Sequence, residues 1–148
     1  MASFNVLPTL GFGEAVKLIL SHPFQFSGRA RRSEFWWGYL AMFLALLAAG
    51  MFGSIFVAME SLRFVGFAIL AVVYVAFFGV SLAMISRRLH DTGRSAWWFL
   101  ISFIPFIGGI VLFVFELTDS QPNENEWGES PKYAPAFNEN DKEISDII

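Results

Sequence analysis

Polar and apolar positions are sorted along this chain into long blocks instead of being interleaved. "FWWGYLAMFLALLAAGMFGSIFVAM" at 35–59 carries no formal charge, and neither does "FVGFAILAVVYVAFFGVSLAMIS" at 64–86. A third block, "WWFLISFIPFIGGIVLFVF", fills 97–115. A helix rises ~1.5 Å per residue, so ~20 apolar residues cross a hydrocarbon core of ~30 Å. The blocks therefore predict three transmembrane helices, at about 35–59, 64–86 and 97–117, in an all-α, polytopic membrane protein. The third block contains its own breakers. Pro105 and the pair Gly108-Gly109 kink or interrupt a helix, which leaves a re-entrant hairpin open as the alternative to a crossing.

Upstream, "LGFGEAVKLIL" sets Phe12, Val16, Ile19 and Leu20 at i, i+4, i+7 and i+8, with Glu14 and Lys17 off that stripe. This predicts a short amphipathic helix, lying on the membrane surface or against the protein's own loops, and stopped by "SHP" at 21–23. With Lys17 inside the stretch and no basic lead-in, it does not read as a cleavable signal peptide. Beyond the third block, residues 118–148 hold eight acidic side chains against Lys132 and Lys142, with three prolines and scattered Trp127, Tyr133 and Phe137. That composition predicts a largely disordered, solvated tail. The expected organisation is an N-terminal segment 1–34, a transmembrane domain 35–117 with a loop at 87–96, and the acidic tail 118–148.

Composition agrees with lipid as the solvent. The chain is 55% hydrophobic and only 16% charged, where soluble domains carry ~25% charged residues. The absence of cysteine rules out disulfides, thiolate metal sites and a cysteine nucleophile. No broad basic face balances the acidic tail, so nucleic acid is not an expected partner. Basic residues also set an orientation. Lys17, Arg29, Arg31, Arg32, Arg87, Arg88 and Arg94 would share one side, against Arg63, Lys132 and Lys142 on the other. By the positive-inside rule the N-terminus and the 87–96 loop are cytoplasmic. Three crossings then put the tail in the periplasm, whereas a re-entrant third segment returns it to the cytoplasm.

The chemistry is concentrated in "RRLHDTGRSAWW" at 87–98. His90, Asp91 and Ser95 are the residue types of a hydrolase, but adjacency in sequence is not hydrogen-bond register, and no G-x-S-x-G elbow is present. Only two histidines exist, His22 and His90, without a Cys pair or H-E-x-x-H, so no metal and no cofactor are expected. The tail's "NENE" lacks the ordered ligands of a calcium loop. Interfacial physics accounts for more. Arginine at the bilayer centre costs ~2.5–3.5 kcal/mol, so Arg87 and Arg88 mark the end of a span. Asp91 and Gly93 are turn residues, and Glu34, His90, Asp91, Gly93 and Ser95 form an expected structural loop network. Trp36, Trp37, Trp97 and Trp98 are expected headgroup-level anchors. "GRARRSEFWW" at 28–37 and "GRSAWW" at 93–98 share a Gly-Arg, Arg-Ser and Trp-pair device, which places the two basic loops side by side. Arg29, Arg31, Arg32, Arg87, Arg88 and Arg94 are accordingly the candidates for holding a lipid or soluble phosphate through forked donors.

These segments are familiar as a set. "FSGRARRSEFWW" at 26–37, "RRLHDTGRSAWW" at 87–98, "IPFIGG" at 104–109 and "NENEWGESP" at 123–131 resemble the bacterial inner-membrane proteins grouped as domain of unknown function 805. The resemblance spans about residues 12 to 132. In that family the last motif runs Asn, an aromatic-Gly pair, an acidic residue and Pro; here Ser130 is inserted before Pro131. The resemblance implies a small multi-span inner-membrane protein and carries no activity, substrate or catalytic residue.

Rows of small residues, Ala45-Ala49-Gly53, Gly50-Ser54-Ala58 and Gly79-Ala83, permit close helix approach within the chain or between two copies. The expected role is non-enzymatic, a binding or accessory function in which the arginine loops engage anionic headgroups or a membrane-protein partner. The alternative is a small membrane enzyme or transport-complex subunit with a polar site around His90 and Asp91. Few polar residues interrupt the spans, which weighs against an ion path within one protomer.

Overall fold

The computed structural model describes residues 4–135. The order of elements is a strand β1 (Phe4–Val6), helices α1 (Phe12–Ser21), α2 (Arg32–Ala58) and α3 (Arg63–Asp91), a 3-10 helix (Ala96–Phe103), α4 (Gly108–Leu117) and a strand β2 (Tyr133–Pro135).

The N-terminal amphipathic stripe forms α1. Its start is tied by the Glu14 carboxylate, which accepts from the Gly11 amide at 2.8 Å. Ala15 and Ile19 are buried while Leu20 is 74% exposed. α2 and α3 are two long apolar helices of 27 and 29 residues, about 40 Å long each and so sufficient to cross a bilayer. A short connection containing the 3-10 turn Glu60–Leu62 folds them into an antiparallel pair. Glycines set the closest approaches. A Cβ at Gly53 would collide with Leu70, and one at Gly66 would come within 3.0 Å of Val57 and Phe56. Gly53, expected in a small-residue row open to contacts within the chain or between copies, is thus consumed inside the chain. Around this pair the large side chains face outward, with Met51 at 72%, Phe64 at 85% and Val75 at 72% exposed. In water such a surface would be unstable; in lipid it is ordinary.

The third apolar block departs from a continuous helix over 97–117. Ile104 is extended, as a residue before proline prefers, Pro105 supplies no amide, and Phe106 takes a φ of 66°. The chain reverses there. Gly108 lies so close to the Ile101 carbonyl that no side chain fits between the limbs, and its amide donates to Ile104 at 3.0 Å. The result is a hairpin with apolar Phe103, Phe106 and Ile107 at its exposed tip. Ten residues of α4 rise about 15 Å, roughly half a hydrocarbon core.

The segment after the hairpin corrects a further expectation. Over 118–135 the tail is not a solvated coil but is hydrogen-bonded to the body through Ser120, Gln121, Asn123, Asn125 and Gly128. β2 pairs antiparallel with β1, Asn5 opposite Ala134. The hairpin at Pro105, open from the sequence as the alternative to a third crossing, brings the segment after it back against the residues that precede α1. The expected disorder of 136–148 lies outside the described residues.

Candidate functional site

Where the ends of α2 and α3 meet the hairpin, the packing is polar. Arg88 and Asp91 are one helical turn apart at the end of α3, so they share a face, and Arg88 Nη1 donates to Asp91 Oδ2 at 2.6 Å. Both are fully buried. Asp91 also accepts from Arg29 Nε at 3.1 Å and from the Ser120 hydroxyl at 2.5 Å. Guanidinium remains protonated when buried, so the remaining donors must find acceptors. They find backbone carbonyls. Arg29 donates to Asn123 and Gly128 through Nη1, and to Gln121 and Asp91 through Nη2. Arg88 reaches the carbonyls of Glu116, Ala30 and Thr118. One carboxylate and two arginines thereby join the loop before α2, the end of α3, the exit of the hairpin and the tail.

Around this centre, Arg87 projects toward α2 and donates to Glu34 Oε1 at 2.7 Å, with both side chains 8% exposed. Its Nε is buried with no acceptor. Arg31 donates to the carbonyls of Leu7, Pro8 and Pro131, pinning the segments next to the two strands. Arg32 forms a half-exposed pair with Asp119 at 3.1 Å. Asp119 in turn accepts from Lys132 Nζ at 2.5 Å. Partial burial would raise the Asp119 carboxyl, but the Lys132 and Ser120 hydrogen bonds and the Arg32 charge outweigh it and hold it below its ordinary value. Arg94 lies over the Phe115 ring, 4.1 Å from its centroid, and donates to the Thr92 carbonyl.

His90 Nδ1 donates to the Gly28 carbonyl at 3.1 Å, and the ring stacks on Trp127 at 4.4 Å and 6°. Ser95 accepts from the Trp97 amide at the start of the 3-10 helix. Neither side chain bonds Asp91, whose hydroxyl partner is Ser120, so His90, Asp91 and Ser95 are not joined in a relay. Gly93 has a φ of 75°, and a side chain there would meet Gln121. Trp37 and Trp97 are 40% and 74% exposed at the level of the cluster. Trp98 packs edge-on to Phe115, and Trp36 is half-buried against Phe35 and Phe113.

The two arginine-bearing loops thus meet, and the sequence-selected Glu34, His90, Asp91 and Gly93 sit among them. The tail's share was missed. Gln121, Asn123 and Gly128 supply three of Arg29's five acceptors, all of them backbone carbonyls that no residue type advertises, and the Ser120 hydroxyl donates to Asp91. The available signal was Trp127-Gly128 within an otherwise acidic tail, since an isolated aromatic beside glycine implies packing.

The relatives match this frame. A protein-family model described as "Protein of unknown function (DUF805)" matches residues 23–129, which takes in both arginine loops, the hairpin and the Trp127-Gly128 turn. Inner membrane protein YhaH of Escherichia coli (strain K12) is 37% identical over 118 residues, covering 79% of this chain and 95% of YhaH. Inner membrane protein YhaI of the same strain is 39% identical over 116 residues, covering 78% of this chain and 92% of YhaI. No solved structure matches significantly. By the extent of the family match and the identity of these inner-membrane relatives, the chain belongs to the DUF805 family.

Proposed function

We propose that the chain is a multi-pass inner-membrane protein in which α2 and α3 cross the bilayer and the third apolar segment enters and leaves from the cytoplasmic face. In this reading the N-terminus and the segment through Pro135 are both cytoplasmic. The pairing of β1 with β2 carries it, because one strand precedes the spans and the other follows the hairpin. The excess of basic residues at that end supplies the sign.

Its role is non-enzymatic, a binding or accessory function at the anionic membrane surface. The buried arginines clamp the cytoplasmic cap, and Arg32 and Arg94, beside Trp37, Trp97 and Trp98, meet phosphate-bearing headgroups. Each surface cation adds about 1 kcal/mol of attraction to an anionic leaflet. The test uses the full chain in nanodiscs of phosphatidylethanolamine with phosphatidylglycerol. An Arg32→Gln, Arg94→Gln double variant is expected to retain less phosphatidylglycerol than wild type; equal retention would remove headgroup binding from the proposal. Orientation is read separately in inverted vesicles. An impermeant thiol reagent should label Glu129→Cys and leave Ser61→Cys untouched, and the reverse pattern would overturn the topology.

A further inference from the structure

Beneath α1 lies a cleft of about 380 Å³, open on one side. α2 contributes the small residues Gly38, Ala41 and Ala45 to its floor, beside Met42. Ala76, Phe77 and Val80 of α3 form the facing wall, and Val16, Ile19 and Leu20 of α1 form the roof. Not one lining residue has a polar side chain. A water molecule there would lack the two to four partners it needs, so the cleft stays dry or holds hydrocarbon. The volume lies within the range of small-ligand pockets, about 300–1,000 Å³.

Depth identifies which hydrocarbon is available. Gly38 and Ala45 follow the first residue of α2 by 6 and 13 positions. At ~1.5 Å per residue they sit about 9 to 20 Å below the arginine layer. Val80 and Ala76 precede the last residue of α3 by 11 and 15 positions, which gives about 17 to 22 Å. The cleft therefore faces the acyl region of the leaflet nearest the arginine cluster. A partner helix is a poor occupant. α1 lies across the first turns of α2, with Phe12 against Trp37 and Ile19 filling the space at Gly38. A helix ~10 Å wide laid along the cleft would have to stop beneath α1, while a single hydrocarbon chain is thin enough to tuck under it. Exposed Lys17 adjoins lining Val16 in sequence, and exposed His22 adjoins lining Pro23. Both belong to the roof helix or its C-terminal end, and the Lys17 ammonium is a cation on that element for the phosphate of such a lipid.

We infer that this cleft is a phospholipid site, one acyl chain of a lipid from the α1-side leaflet lying along the α2–α3 groove under the α1 roof. The site rests on the multi-pass reading but not on headgroup binding by Arg32 or Arg94.

Photocrosslinking tests it. The full chain is reconstituted in phosphatidylethanolamine and phosphatidylglycerol vesicles that include a phospholipid with a diazirine in one acyl chain, and adducts are mapped by peptide mass. Adducts are expected to concentrate on 16–23, 38–45 and 76–80 in the wild type. Filling the cleft from either wall, with Ala45→Phe or Ala76→Phe, should reduce them severalfold. Ala71→Phe, exposed on α3 and outside the lining, should leave them unchanged. Adducts spread evenly over α2 and α3 in the wild type, or unaltered by both filling variants, overturn the site as ordinary annular contact. Crosslinks from the cleft to a second copy of the chain also overturn it, in favour of an interface. Alkaline extraction separates the failures: release of wild-type chain defeats the multi-pass reading, whereas a retained chain without mapped adducts defeats the lipid site alone.

Discussion

Replacing Asp91 by asparagine keeps the shape of the cluster and removes the anion that Arg29 and Arg88 share. The side chain is fully buried, and its two oxygens accept from Arg29, Arg88 and Ser120. An amide offers one acceptor oxygen, so at least one of these three donors would face an NH2 group. The two guanidinium groups cannot shed their protons and would confront each other without the carboxylate that both of them bond. Removing one partner of a buried ion pair costs about 3–5 kcal/mol. At about 1.4 kcal/mol per factor of ten, that is roughly a hundred- to several-thousand-fold in the folding equilibrium. The matched comparison is Asp119→Asn, whose pair with Arg32 has side chains 44% and 45% exposed and should matter by about 0–1 kcal/mol. The assay is titration of the purified chain from mild-detergent micelles into sodium dodecyl sulfate, followed by tryptophan fluorescence. Adding Arg88→Met to Asp91→Asn should recover part of the loss by removing an uncompensated charge. If Asp91→Asn stays within about 1 kcal/mol of wild type, or matches Asp119→Asn, the cluster is not the clamp described here.

Adjacent glycines give the next expectation. Gly108→Ala drives a Cβ into the Ile101 carbonyl while Gly109→Ala meets nothing within 4 Å. In the same titration the first should destabilise by about 1–3 kcal/mol, whereas the second should be neutral or stabilise by up to about 1 kcal/mol. Trp127→Ala removes the ring stacked on His90, worth about 0.5–1.5 kcal/mol, and should speed tryptic cleavage after Lys132; unchanged cleavage would detach the stack from the tail's order. Acid should loosen the Arg32–Asp119–Lys132 triad. Asp119 is held below its ordinary 3.8, so its contribution is complete above that value and is lost as pH falls through the lower folded value. Lys132 is held above its ordinary 10.5, so its contribution is lost only as pH rises past that. Hydrogen exchange of the β1–β2 amides should therefore be flat near neutrality and quicken below about pH 4 beyond the intrinsic rate, an effect that Asp119→Asn abolishes.

Periodicity and charge made much of the frame legible in advance. The unbroken apolar runs of α2 and α3 mark two membrane-length helices, and the Phe12-Val16-Ile19-Leu20 stripe specifies α1. The third block was ambiguous for a physical reason. Its hydropathy is that of a span, and what decides its path is the local backbone geometry at Ile104, Pro105 and Phe106 with the Gly108–Ile101 contact, which hydropathy does not encode. Arg87 and Arg88 were legible as residues that must stay at the rim. That their charge would be spent inward was not, because the donors of Arg29 and Arg88 are met mainly by backbone carbonyls, several from a tail whose acidic, proline-bearing composition resembles disorder. Side chains advertise partners; backbone acceptors do not. His90 illustrates the same point, since its neighbours in sequence hint at catalysis while its neighbours in space are a carbonyl and an indole.

The most direct measurement of the central claim, that the chain returns from its third apolar segment to the face it started from, is a disulfide across the two strands. Asn5 and Ala134 are directly opposite in the antiparallel pair, a spacing of about 4.5–5.5 Å that suits a disulfide, and the chain has no native cysteine to compete. Oxidation of an Asn5→Cys, Ala134→Cys variant in native membranes should give rapid intramolecular closure, with none for Ser61→Cys, Ala134→Cys. No closure of the first pair under conditions that oxidise exposed thiols, or closure of the second, would contradict the account.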